Sequence, residues 1–124
     1  MNKAIKILLV DDEQDILDLL RYNFMKQGYD VQTAIDGSEA IVEASNFQPD
    51  VIVSDILMPN ISGLKMCRIL KADNRFKNIP VIFLSASTDE YLALSSLDAG
   101  ATTFLSKPIH LSMLFEVVRS VVKH

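Results

Sequence analysis

Three short runs, Ile5 to Val10, Val51 to Ser54 and Val81 to Leu84, are nearly continuous in apolar, often β-branched residues. A strand with one face in water alternates apolar and polar residues. An unbroken run is the pattern of a strand covered on both faces, as in a parallel sheet packed between helices. Two further candidate strands read differently. Tyr29, Val31, Thr33 and Ile35 alternate with Asp30, Gln32, Ala34 and Asp36, and Thr102 to Ser106 is also mixed. Less complete burial is the mark of a sheet edge.

Helical periodicity fills the gaps. Ile16, Leu17, Leu20 and Phe24 lie three or four apart, with Gly28 as a stop signal. Asp36-Gly-Ser-Glu39 resembles a capping box and opens a second helix. A third follows Gly63 and carries Leu64, Cys67 and Leu70. A fourth opens at Ser87-Thr-Asp-Glu90 and stops at Gly100. A fifth presents Leu111, Leu114, Phe115, Val118, Val121 and Val122 as one apolar stripe. All four glycines and all four prolines fall at element ends or in loops, so the local signals agree with one another.

Alternating strands and helices predict an α/β domain with a parallel sheet. With strands 2 and 5 at the edges, the order is 2-1-3-4-5: a doubly wound (βα)5 domain of the flavodoxin-like type. At 124 residues, 1–124 reads as a single domain that buries roughly two-thirds of its unfolded surface. The net charge of −4 argues against direct nucleic-acid binding. A lone cysteine, Cys67, cannot form an internal disulfide, and the N-terminal apolar run is too short to span a membrane. A cytoplasmic protein is expected.

In such a sheet, ligands bind beyond the carboxyl ends of the strands, at the switch point between strands 1 and 3. Strand 1 ends in Asp11-Asp12-Glu13, strand 3 in Asp55, strand 4 in Ser85 and strand 5 in Lys107-Pro108. Crowded carboxylates repel, and a hard cation with oxygen ligands relieves the repulsion. Zinc is not expected, because Cys67, His110 and His124 lie away from these strand ends. A carboxylate can attack phosphorus directly, provided charge on the phosphoryl oxygens is neutralised.

Four segments, ILLVDDE (7–13), DVIVSDILMPNISG (50–63), PVIFLSAS (80–87) and AGATTFLSKP (99–108), together resemble the receiver domains of bacterial two-component response regulators. The resemblance covers essentially the whole chain. It implies that Asp55 is the phosphoacceptor and that Mg²⁺ (or Mn²⁺) is held by Asp12, Asp55 and the Leu57 backbone carbonyl. Asp11 would act nearby or through water. It further implies that Lys107 contacts the phosphoryl group, that Ser85 and Phe104 are switch residues, and that the Lys107–Pro108 bond is cis. The implied donor is a sensor histidine kinase or phosphotransfer protein, and the implied target is a downstream output domain or protein. Signalling would run through the fourth helix, fifth strand and fifth helix. That surface would also carry any homodimer, although the uncharged run Tyr91 to Leu97 does not fit one made of charged pairs. The chain ends soon after the fifth helix, so no output domain is expected within it.

Each residue has a plainer reading when taken alone. Asp11 and Asp12 could cap the first helix, Ser85 could be a structural hydroxyl, Lys107 a solvated charge and Phe104 ordinary core. Their convergence on one edge is what favours chemistry. A haloacid-dehalogenase-like phosphatase also combines a nucleophilic Asp, Mg²⁺ and a lysine. Its nucleophile, however, sits on strand 1 with a second Asp two residues later, where this chain has Glu13. A receiver-like scaffold that binds partners without phosphorylation is the other alternative.

Overall fold

The structure is a computed structural model. It describes residues 3–86 and 90–122, with the backbone alone for 90–93. The elements run β1 (Lys6–Val10), α1 (Gln14–Lys26), β2 (Asp30–Ala34), α2 (Gly37–Phe47), β3 (Val51–Asp55), α3 (Gly63–Lys71), β4 (Val81–Ser85), α4 (Glu90–Asp98), β5 (Thr103–Ser106) and α5 (Leu111–Val122). The five strands form one sheet in the order β2-β1-β3-β4-β5, and every pair is parallel. The doubly wound order read from the sequence is therefore the observed one.

The apolar runs are buried as their composition requires, with every residue of β3 and β4 out of water. Successive strand residues point to opposite faces and feed two separate cores. Leu8, Val10, Ile52 and Phe83 pack with Ala40 and Ala44 of α2 and Met66, Cys67 and Leu70 of α3. Ile7, Leu9, Val53 and Leu84 pack with Leu17, Leu20 and Phe24 of α1 and Leu114 and Val118 of α5. Phe24 is the hub of the second layer, edge-on to Tyr29 at 5.1 Å and to Phe115 at 5.0 Å.

The edge strands are only partly covered, as expected. The alternation expected for β2 fails at its end: Ala34 is buried and Ile35 is exposed. The strand stops at Ala34 because Asp36 already caps α2, and the turn between them breaks the two-residue phase. The capping box is offset as well. Asp36 accepts from the Glu39 N–H at 2.8 Å, but the Glu39 carboxylate accepts from the N–H of Ile35, not of Asp36. The expected start of the fourth helix at Ser87 to Asp89 lies outside the described residues, as does His124. Leu94 and Leu97 of α4 are exposed, as anticipated for an uncharged helix body. Gly28 and Gly100 adopt φ of +91° and +103° just past α1 and α4, where a residue with a Cβ would be strained.

Candidate functional site

The carboxyl ends of the three central strands and of β5 meet on one edge. Asp11 follows β1 directly, and its N–H still bonds the Ala34 carbonyl at 3.1 Å, extending the ladder by one residue. Its carboxylate is buried at 2% exposure and accepts from the Glu13 N–H at 2.9 Å. Asp11 does not cap α1. The N-cap is Glu13, which makes no side-chain cap bond. Asp12 faces solvent.

Asp55 is the last residue of β3, 9% exposed, with Oδ1 accepting from the Ile56 N–H at 2.9 Å. Carboxylate oxygens of Asp11, Asp12 and Asp55 all lie within 4.8 Å of one another. Lys107 enters from the turn after β5. Its backbone N–H donates to the Ser85 carbonyl at 2.7 Å, which ties the turn after β5 to the end of β4. Its ammonium stands 3.3 Å from Asp11 Oδ2 and 3.8 Å from Asp55 Oδ2. The Lys107–Pro108 peptide is cis, as the resemblance implies.

Ser85 is buried at the end of β4, one position beyond Leu84, the register partner of Asp55. Phe104 is half-buried on β5, pairs in register with Phe83 and packs against the α2–α3 layer. Leu57 projects an exposed side chain, so only its backbone could serve the site.

Three carboxylates thus face one ammonium. Burial pushes the Asp55 carboxyl up to about 6, and Asp11 and Asp12 push the same way. Lys107 and the Ile56 N–H oppose them without prevailing. A carboxylate cluster that is costly to ionise and offers only oxygen atoms fits a hard divalent cation.

Sequence reasoning passed over the packing of the loop after Asp55. Asn60 adopts φ of +67° and donates to Asp36 Oδ2 at 3.3 Å. Ser62 caps α3 by accepting from Lys65 N–H. Gly63 lies so close to the Asp55 carbonyl and the Phe83 ring that a Cβ would collide with both. Gly63 stood at the end of the 50–63 segment and signalled a helix start, but not this close approach.

A family model for the response regulator receiver domain matches residues 7–119. The chain is 41% identical over 108 residues to the alkaline phosphatase synthesis transcriptional regulatory protein PhoP of Bacillus subtilis, covering 87% of this chain and 43% of PhoP. It is 38% identical over 118 residues to the response regulator PleD of Caulobacter vibrioides, covering 95% of this chain and 26% of PleD. Among solved structures it is similar to the chemotaxis response regulator CheY4 of Vibrio cholerae, with a TM-score of 0.90 and 30% identity over 96% of this chain and 99% of that one. The chain belongs to the response regulator receiver domain family, the signalling modules of two-component systems. It spans less than half the length of the curated relatives named here. Among the described residues, no helix is long and apolar enough to cross a membrane.

Proposed function

We propose that this domain, spanning 1–124, is a phosphorylation switch in which Asp55 accepts a phosphoryl group. The observation that carries this reading is the ammonium of Lys107 held 3.8 Å from the Asp55 carboxylate, which also clusters with Asp11 and Asp12. An Asp55 oxygen attacks phosphorus, and the phosphorus–nitrogen bond of a phosphohistidine breaks with its electron pair passing to the imidazole. Asp11, Asp12, Asp55 and the Leu57 carbonyl would hold Mg²⁺ or Mn²⁺, directly or through water. Such an ion, when bound, would supply charge neutralisation for the phosphoryl oxygens. Lys107 and the Ser85 hydroxyl would bind the remaining oxygens. Those two, with Phe104, are the residues assigned to the switch.

The new group adds roughly one to two negative charges next to Asp11. Lys107 and Ser85 would close on it, Phe104 would repack against the α2–α3 layer, and the α4–β5–α5 surface would change. A shift from 1:99 to 99:1 requires the phosphate to favour the active form by about 5.5 kcal/mol. The donor is a histidine kinase or phosphotransfer protein and the receiver of the signal is an output domain or protein. The domain assists its own phosphorylation and dephosphorylation and is otherwise not an enzyme. The free, buried Cys67 supports a reducing, cytoplasmic setting.

The test is incubation with Mg²⁺ and acetyl phosphate, followed by assay for acid-stable, alkali-labile label. Label on the wild type that disappears in Asp55→Ala supports the switch. Turnover that persists in Asp55→Ala would point to a phosphatase, and a protein left unmodified by every donor, including a matching kinase, to a scaffold.

A further inference from the structure

The loop 56–62 joins Asp55 to α3, and it is held at two places by contacts that admit no side chain. At the α3 end, Gly63 N–H donates to the Ile56 carbonyl at 2.8 Å and the glycine lies flat against the Asp55 carbonyl. The other hold comes from a different part of the chain. Gly37, the first residue of α2, lies beneath Ile61. A Cβ there would stand 2.5 Å from the Ile61 carbonyl oxygen and 2.8 Å from its Cγ2. Beside it, Asp36 uses one carboxylate oxygen to cap α2 and the other to accept from Asn60. Gly37 is buried and its φ is unremarkable, so backbone freedom is not what calls for glycine here. Space for the loop is.

Leu57 lies between Ile56, bonded to Gly63, and Asn60, bonded to Asp36, and its side chain is exposed. Its backbone can be fixed only by its neighbours in the loop. Met58 and Ile61 supply part of this by packing on the α2–α3 core, and the contact with α2 supplies the rest.

We infer that Gly37 is a positioning residue for the cation site. By letting Ile61 seat directly on the first turn of α2, with Asn60 tied to Asp36, it sets where the Leu57 carbonyl stands relative to Asp55. The inference rests on the metal-assisted reading above. A methyl group at position 37 lifts the loop while leaving Asp11, Asp12, Lys107 and Ser85 at the ends of their own strands. Cation affinity should therefore fall while the phosphate-side groups stay in place.

The test is calorimetric titration of Mg²⁺ alone into the wild type, Gly37→Ala, Asn60→Gly and Asp55→Ala. Cooperative melting establishes that each variant is folded. Gly37→Ala is expected to raise the Mg²⁺ Kd by about 10-fold, the scale of lost support behind a metal ligand. Asn60→Gly keeps the left-handed backbone accessible, leaves the core alone and removes only the bond to Asp36. It is expected to raise the Kd about 3-fold, and it decides the matter should Gly37→Ala not fold. Labelling by acetyl phosphate provides a second readout: in Gly37→Ala, at a temperature where its melt shows it fully folded, the half-saturating Mg²⁺ rises and excess Mg²⁺ restores the rate, whereas damage to the phosphate-side groups would lower the rate at every Mg²⁺ concentration. Wild-type Kd values in both folded variants would overturn the inference. Undiminished Mg²⁺ binding by Asp55→Ala would instead defeat the metal-assisted reading, and the inference with it.

Discussion

Lys107 lies closer to Asp11 than to Asp55, with its ammonium 3.3 Å from one carboxylate and 3.8 Å from the other. The lysine is thus held by the buried acid that follows β1 while remaining within reach of the acid on β3. Its position is a compromise between two charges, and removing it affects both. In Lys107→Ala, Asp55 loses the main influence holding its carboxyl down, so its pKa should rise beyond the value of about 6. Carbon-detected NMR titration of the Asp55 carboxyl in metal-free protein measures this. An unchanged or lower value would show that the ammonium does not act on Asp55.

The raised Asp55 pKa has a consequence for stability. The folded protein binds this proton more tightly than the unfolded chain, in which the carboxyl titrates near 4. The contribution is complete below about pH 4 and is lost as pH rises through about 6. Asp55→Asn removes it. In chelator, the urea midpoint of Asp55→Asn should gain on that of the wild type as pH is raised from 4 to 7, and a difference that stays constant across this range would contradict the assignment.

Cation binding should offset the same repulsion. At Mg²⁺ ten times above its Kd, the gain is about 1.4 kcal/mol, a rise in Tm of about 5 °C. The shift should vanish in Asp12→Ala, because Asp12 is the exposed member of the carboxylate cluster and contributes nothing to the core. Thermal melts with and without chelator test this, and equal shifts in wild type and Asp12→Ala would remove Asp12 from the cation site.

Gly63→Ala offers a test of the loop by its sign. Alanine at an ordinary helix position is favoured over glycine by about 1 kcal/mol. Here the added methyl meets the Asp55 carbonyl and the Phe83 ring, so a loss of about 1–3 kcal/mol is expected instead. Denaturant unfolding decides between them, and a stabilised variant would mean that the loop yields freely.

What the chain discloses before folding is uneven, for physical reasons. The strand order was legible because β2, with Asp30, Gln32 and Thr33, and β5, with Thr103 and Ser106, are visibly less apolar than β1, β3 and β4. The convergence of Asp11, Asp12, Asp55, Ser85 and Lys107 was legible because parallel strands bring all their carboxyl ends to one edge. The exposure of Ile35 was not, since a two-residue phase says nothing about where the strand stops. The part played by Gly37 was hidden for a different reason. A glycine that makes room for Ile61 is defined by what approaches it from 24 positions away, as Asn60 and Asp36 also show across the same gap. Only the cap at Asp36 carries a local signal, and even there Glu39 reaches back to Ile35.

The two cores on either side of the sheet also give the site two separate foundations. The loop after Asp55 is rooted through Ile56, Met58 and Ile61 in the layer of α2 and α3. Lys107 is flanked by Leu105 and Ile109, which are rooted in the layer of α1 and α5. The loop after the acid and the turn that carries the ammonium are therefore rooted in different layers, although the two groups themselves meet 3.8 Å apart at the edge of the sheet. The 3.8 Å between them depends on how the sheet holds its two layers together.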